Sequence, residues 1–188
     1  MIKAIIFDIG GVVVNNLGKE IRKEVNNKFF IKYYAKYNKM LDSGNITLAQ
    51  LEEIYKKYAN LNLRKIYIEA AKKSMINKKV KNLVFKLNKK YKVIYLSNTF
   101  KEHYIVRKRQ GVYKGFLFGI NSYKLRMRKP YIAIYKLTLR KLNLRPEECL
   151  FIDDRKDNIK TARKLKINSI LFRNYFQLIK GLKSFKLI

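Results

Sequence analysis

Short, fully apolar runs alternate along the chain with longer stretches whose apolar positions recur at helical spacing. "KAIIF", "YKVIYL" (Tyr91 to Leu96), "CLFI" (Cys149 to Ile152) and "NSILF" (Asn168 to Phe172) have the first character, and "GFLFGI" (Gly115 to Ile120) is a weaker fifth. Runs with no polar face suit strands covered on both sides, as in a parallel sheet. "INKKVKNLVFKLNKK" places Val80, Leu83, Val84 and Leu87 at i, i+3, i+4 and i+7, which predicts an amphipathic helix leading into the second strand. "PYIAIYKLTLRKLNL" predicts another, with Pro130 at its first position and Ile134, Leu137 and Leu142 on one face. "NIKTARKLK" predicts a helix after the "CLFI" strand. Strands alternating with helices indicate an α/β fold around a parallel sheet.

Residues 17–77 break this alternation. "EIRKEVNNKFFIKYYAKYNKM" and "ITLAQLEEIYKKYANL" read as helices, and no strand is convincing between them. We expect a helical insertion between the first and second strands, with the core formed by residues 1–16 and 78–188. "LDSGNIT" is its clearest turn: Gly44 and Asn45 end one helix, and Thr47 caps the next. Tyrosines at 33, 34, 37, 55 and 58 could form a base-stacking platform, but aromatic residues at helical spacing more often pack a core.

The length of 188 residues and apolar content of 48% fit one domain with a small insertion and argue against disorder. No apolar run reaches membrane-spanning length. The amino-terminal run has a Lys before it, yet Asp8 interrupts it and no small-residue cleavage site follows, so it reads as a strand rather than a leader. The single cysteine, Cys149, reads as a reduced, buried thiol, which suggests a cytoplasmic protein.

Charge changes the picture. Lys and Arg number 44 against 13 Asp and Glu, a formal +31. Such a balance can signal binding to nucleic acid or another polyanion. The basic residues are instead spread over almost every segment without a basic block, which favours a compositional bias.

Acid is therefore scarce, and its placement is informative. Of the five aspartates, four (Asp8, Asp153, Asp154 and Asp157) lie at or just after the ends of two apolar runs; Asp42 is the exception. Ligands of open parallel sheets bind beyond the carboxyl ends of the strands. After the first strand come Asp8, Gly10 and Gly11; after the second, Ser97, Asn98 and Thr99; after "CLFI", Asp153 and Asp154. Lys129 precedes Pro130, which disfavours helical geometry and leaves its side chain on a loop. Carboxylates from separate strand ends can share a hard ion such as Mg²⁺. A hydroxyl and an ammonium at the same edge suit a phosphate, and an Asp can act as a nucleophile. Taken singly, Asp8 could be a turn residue, Ser97-Asn98 a cap, Lys129 a solvated surface group and Asp153-Asp154 a helix cap. No P-loop pattern is present.

"IIFDIGGVVV", "VIYLSNT" and "RKPYIAIYKLTLRKLNLRPEECLFIDDRKDNIKTARKLKI", in this order, resemble the haloacid dehalogenase-like (HAD) hydrolase superfamily. The nearest subgroup has a small helical cap inserted after the first strand. Within the insertion, "LDSGNITLAQLEEI" is similar to the cap's usual glycine turn and helix. The resemblance implies a Rossmann-like three-layer sandwich plus cap. It implies Asp8 as nucleophile and Ser97 as the hydroxyl on the transferring phosphoryl group, with Asn98 beside it. Lys129 would steady the nucleophile and the phosphate charge. Asp8, Asp154 and the backbone carbonyl of Gly10 would hold Mg²⁺, with Asp153 next to them. Asn158 stands where many relatives have a further acid, and so would act behind the ligands. Gly10 and Gly11 form the turn leading into the cap.

One departure matters. Many phosphatases of the superfamily carry a second Asp, a general acid–base, at the position of Gly10. Its loss implies slower turnover, a good leaving group or a water-mediated substitute. Carbon–halogen hydrolases also lack that Asp, but they need no metal, and retention of Asp153 and Asp154 favours phosphoryl chemistry. The expectation is a Mg²⁺-dependent phosphatase of a small phosphorylated metabolite. The alternatives are a catalytically weak polyanion-binding protein and a dehalogenase-type hydrolase. His103 reads as a surface or packing residue.

Overall fold

The computed structural model describes residues 1–18, 21, 25, 28–58 and 61–188, apart from the side chain of residue 29. The start of the helix expected over "EIRKEVNNKFF" includes residues 20, 22–24, 26 and 27, which lie outside this set.

Five parallel strands form one sheet: β1 (Ala4–Phe7), β2 (Lys92–Ser97), β3 (Gly119–Asn121), β4 (Cys149–Asp153) and β5 (Asn168–Leu171), in the order β3-β2-β1-β4-β5. The described helices are α1 (Lys28–Asp42), α2 (Leu48–Lys56), α3 (Leu63–Lys72), α4 (Lys78–Leu87), α5 (Lys101–Arg109), the single-turn α6 (Ser122–Leu125), α7 (Ile132–Leu142), α8 (Lys156–Lys164) and α9 (Tyr175–Ser184).

Alternate residues of a strand face opposite sides of the sheet, and both sides are apolar here. Ile5 and Phe7 join Val80, Val84 and Leu87 of α4 and Leu178 and Leu182 of α9 in one core cluster. Ala4 and Ile6 join Ile134, Tyr135 and Leu142 of α7 and Ile159 and Ala162 of α8 in another. Helices on both faces of a parallel sheet give the three-layer α/β sandwich expected. Cys149 is buried in the second cluster with a free thiol.

Two sequence-level boundaries need correction. The helix after Lys129 starts at Ile132, with Tyr131 at its N-cap, so Pro130 precedes the helix instead of opening it. The strand within "GFLFGI" begins only at Gly119. The Tyr95 ring lies against that glycine so closely that a Cβ there would collide with it.

Between β1 and α4, helices α1 to α3 enclose a third cluster built from Phe30, Tyr34, Leu41, Leu51, Tyr55, Tyr67 and others, to which Phe100 contributes from the end of β2. The tyrosines pack as the sequence suggests: the Tyr55 ring lies 5.3 Å from Phe30 and 5.6 Å from Tyr37. Tyr58 alone among those singled out is largely exposed. Gly44, at φ +65°, makes the turn after α1. Thr47 caps α2 by accepting from the Gln50 amide at 3.2 Å, while the Gln50 side chain accepts from the Thr47 amide at 2.9 Å. This turn docks on α6: the Ser122 hydroxyl donates to the Asp42 carbonyl and accepts from the Thr99 amide. The insertion is thereby held over the carboxyl ends of the strands.

Candidate active site

Sheet register brings the first and fourth strand ends level. Phe7 pairs with Ile152, and the Asp8 amide donates to the Ile152 carbonyl at 2.8 Å, so Asp8 and Asp153 sit side by side one step beyond. Lys129 reaches between them from the loop before α7. Its Nζ lies 2.8 Å from Asp8 Oδ1 and 2.7 Å from Asp153 Oδ2, and the whole residue is 1% exposed. A buried ammonium needs such partners, because an unpaired charge is costly to desolvate. Burial works against its charge, but Asp153 and Asp8 outweigh that and hold its pKa above the usual lysine value.

Asp153 is saturated. It accepts from Lys129, from the Arg155 amide at 2.9 Å and from Asn158 Nδ2 at 2.9 and 3.0 Å. Asn158 is itself anchored, its carbonyl accepting from the Tyr135 hydroxyl. Asp154 is only partly buried and lines the cavity above. One carboxylate oxygen from each of Asp8, Asp153 and Asp154 lies within 4.8 Å of the others. Burial first, and then Asp153 and Asp154 against the pull of Lys129, push the Asp8 carboxyl from 3.8 up to about 7. Burial and Asp153 raise Asp154 as well. Three crowded carboxylates facing one ammonium have the charge and the hard oxygen donors that suit a divalent cation.

Gly11 explains how Asp154 can sit so near the first turn. Its φ is +85°, and a Cβ there would run into the Asp154 carboxylate. Gly10 is different: a Cβ would meet nothing within 4 Å. Ser97 is fully buried at the end of β2, and its hydroxyl has no hydrogen-bond partner among the described residues. Asn98 and Lys129 exchange two bonds: Asn98 Nδ2 donates to the Lys129 carbonyl at 2.9 Å, and the Lys129 amide donates to Asn98 Oδ1 at 2.8 Å. The Asn98 amide thus fixes the loop that delivers the ammonium.

A cavity of about 580 Å³ opens above these groups. The sheet edge supplies its floor, with Asp8, Gly10, Lys129 and Asp154; α1 supplies a wall, with Tyr34, Asn38 and Asp42 one helical turn apart. His103 packs on Phe100, with ring centroids 4.0 Å apart, and also lines the cavity. Burial and Arg107 hold the imidazole neutral, well below its usual pKa.

All nine residues singled out from the sequence lie at or beside this edge. Sequence reasoning missed Asp42, Arg107 and Arg128, which line the same cavity. Asp42 had one signal, being the aspartate not accounted for by a strand end. The two arginines had none among so many basic residues.

A family model for haloacid dehalogenase-like hydrolases matches residues 2–166. This chain belongs to that family. The fold of the HAD-like hydrolase agrees with solved relatives. A HAD family enzyme from Bacteroides thetaiotaomicron, crystallised in complex with magnesium and inorganic phosphate, is 25% identical and superposes with a TM-score of 0.79 over 95% of this chain and 99% of its own. A HAD-like family hydrolase from Porphyromonas gingivalis is 21% identical, with a TM-score of 0.72 over 97% of this chain and 98% of its own. A 2-haloacid dehalogenase from Pseudomonas syringae shares the fold at 15% identity and a TM-score of 0.62, over 93% and 90% of the two chains. No curated protein matches the chain.

Proposed function

We propose that this HAD-like hydrolase is a Mg²⁺-dependent phosphatase acting on a small phosphomonoester through an aspartyl-phosphate on Asp8. One observation carries the reading: Lys129 bridges Asp8 and Asp153 at 2.8 and 2.7 Å, beside a third carboxylate, Asp154. A dehalogenase would need no such concentration of acid. The Bacteroides thetaiotaomicron relative, bound to magnesium and phosphate, supports the same choice.

The ion would be held by Asp8, Asp154 and the Gly10 carbonyl, and would supply charge neutralisation for the carboxylates and the phosphoryl oxygens. The chain's own groups do the rest. An Asp8 oxygen attacks phosphorus, the phosphorus–oxygen bond to the leaving group breaks, and the departing alkoxide takes a proton from water, since Gly10 offers none. Water then attacks the aspartyl-phosphate, giving inorganic phosphate and the free carboxylate. Lys129 holds Asp8 in place and offsets developing charge on the phosphoryl group. The unpartnered Ser97 hydroxyl is the donor for a phosphoryl oxygen. Asp153 and Asn158 orient Lys129 without touching substrate. The insertion acts as a cap that excludes water and selects the leaving group.

The test is hydrolysis of p-nitrophenyl phosphate with and without Mg²⁺. Activity is expected in wild type with Mg²⁺, falling at least about a thousandfold in Asp8→Asn, the scale seen when a unit of catalytic machinery is removed. Equal rates in the two proteins would overturn the assignment.

A further inference from the structure

The cavity holds more positive charge than the phosphatase chemistry uses. Lys129 is committed to Asp8 and Asp153, and Arg155 to Asp157, with Nη2 2.8 Å from Oδ2. Arg107 of α5 and Arg128, one residue before Lys129, are different. They are 5% and 8% exposed, and neither guanidinium has a hydrogen-bond or ion-pair partner among the described residues. Both line the cavity that contains Asp8. A guanidinium offers five donors in a fixed fork; here the Nε of each is buried without an acceptor, which is costly. The nearby carboxylate is Asp42 at the end of α1, on which both arginines act electrostatically, Arg128 more strongly. Asp42 is half-buried and makes no side-chain hydrogen bond with either. One carboxylate against two guanidiniums leaves a net positive charge on the cap side of the cavity.

We propose that Arg107 and Arg128 form a second anion subsite, and that the substrate is a phosphomonoester carrying another acidic group, a carboxylate or a second phosphate. This rests on the phosphatase reading for the first phosphate. The two arginines come from different parts of the chain, yet both line one cavity and both act on Asp42, so an anion bound there would draw on both. Planar, forked donors match carboxylate and phosphate oxygens in a way that a lysine does not. The 580 Å³ of the cavity accommodates a ligand spanning both subsites. The second anion would thus be a determinant of specificity, read by groups that take no part in the chemistry.

Matched substrates test this with Mg²⁺ present. 6-Phosphogluconate is compared with glucose 6-phosphate, and fructose 1,6-bisphosphate with fructose 6-phosphate; the first pair adds a carboxylate, the second a phosphate. Wild type is expected to favour the acid-bearing member of at least one pair by tenfold or more in kcat/KM, and the favoured pair identifies the anion. The preference should shrink several-fold in Arg107→Gln and in Arg128→Gln. Arg→Lys variants serve where a Gln variant fails to fold, and should lose part of the preference because the fork is lost. Ratios near one in both pairs in wild type, or a preference unchanged in every arginine variant, would overturn the proposal. Calorimetric binding of the same four compounds to Asp8→Asn reads the ratio without turnover. Failure of the phosphatase reading shows instead as no hydrolysis of p-nitrophenyl phosphate, whatever these binding ratios are.

Discussion

Asp8 is one of three clustered carboxylates, and burial together with its two acidic neighbours disfavours its charged form. It shares its buried corner with Asp153 and Asp154, and Lys129 pairs with two of the three while Arg155 acts on Asp154 from further off. Removing one carboxylate relieves like-charge crowding, while Asp153 still pairs the ammonium. Asp8→Asn is therefore expected to melt a few degrees higher than wild type in EDTA. Mg²⁺ should raise the wild-type Tm by more than that of the variant, because an ion that binds only the native state stabilises it by mass action. Thermal melts with EDTA and with millimolar Mg²⁺ check both statements. Gly10 gives a second residue-scale prediction. Nothing lies within 4 Å of the position of its missing Cβ, so a side chain can start from this residue without a backbone clash. Gly10→Asp supplies the absent general acid and should raise kcat on an alkyl phosphate, by about 10²-fold if the carboxyl reaches the leaving oxygen. An unchanged or lower kcat in a folded variant would show that turnover is not limited by a missing acid. Gly11, facing Asp154 at φ +85°, admits no such substitution.

At the scale of elements, strand register decides what meets what. The Phe7–Ile152 pairing sets Asp8 beside Asp153, and a one-residue slip would turn one of the two to the opposite face of the sheet. The same pair of strands is tied at its other end. The Lys3 amide donates to the Glu148 carbonyl at 2.8 Å, and Lys3 Nζ lies 2.7 Å from Glu148 Oε1. The Glu148 carboxylate also accepts from the Arg145 amide at 2.9 Å. The Lys3 contact first, and then the Arg145 amide, hold the Glu148 pKa down from 4.5 to about 2. The folded state thus binds fewer protons than the unfolded chain between these values. This contribution to stability is fully present above about pH 4.5 and is lost as the pH falls through about 2. Glu148→Gln should accordingly lower Tm at pH 7 relative to wild type, and the difference should close as the pH approaches 2. A gap that is constant across this range would place the effect in packing instead.

Over the whole molecule, the formal charge of +31 makes the surface attractive to anions in every direction. An anionic ligand would then be drawn to the protein before it meets the cavity. For an anionic substrate, kcat/KM is expected to fall as NaCl is raised from 20 to about 300 mM, while kcat changes little, because screening acts on encounter. Independence from salt would mean that the dispersed charge has no part in capture. Among the described residues no helix is long and apolar enough to cross a membrane. The cation excess is spread along the sequence without a basic block.

The sequence by itself determined the α/β alternation, the parallel strands and the stations that end them. Each of these is written locally: apolar runs of strand length, helical periodicity, and acids too scarce to be placed idly. It also carried Asp8, Ser97, Lys129 and Asp154 in an order specific enough to name a family. Tertiary structure decided what no local pattern encodes. Arg107 and Arg128 are ordinary members of a set of 44 basic residues until folding places them in one cavity, each with a buried, unpaired Nε. Asn98, placed beside the phosphoryl site by the resemblance, also locks the Lys129 loop through two bonds that no local pattern shows. Asp42 becomes a wall of the site through the packing of α1 in the third cluster and the Ser122 bond to its carbonyl. Burial and convergence depend on distant parts of the chain, and spacing along the sequence does not contain them.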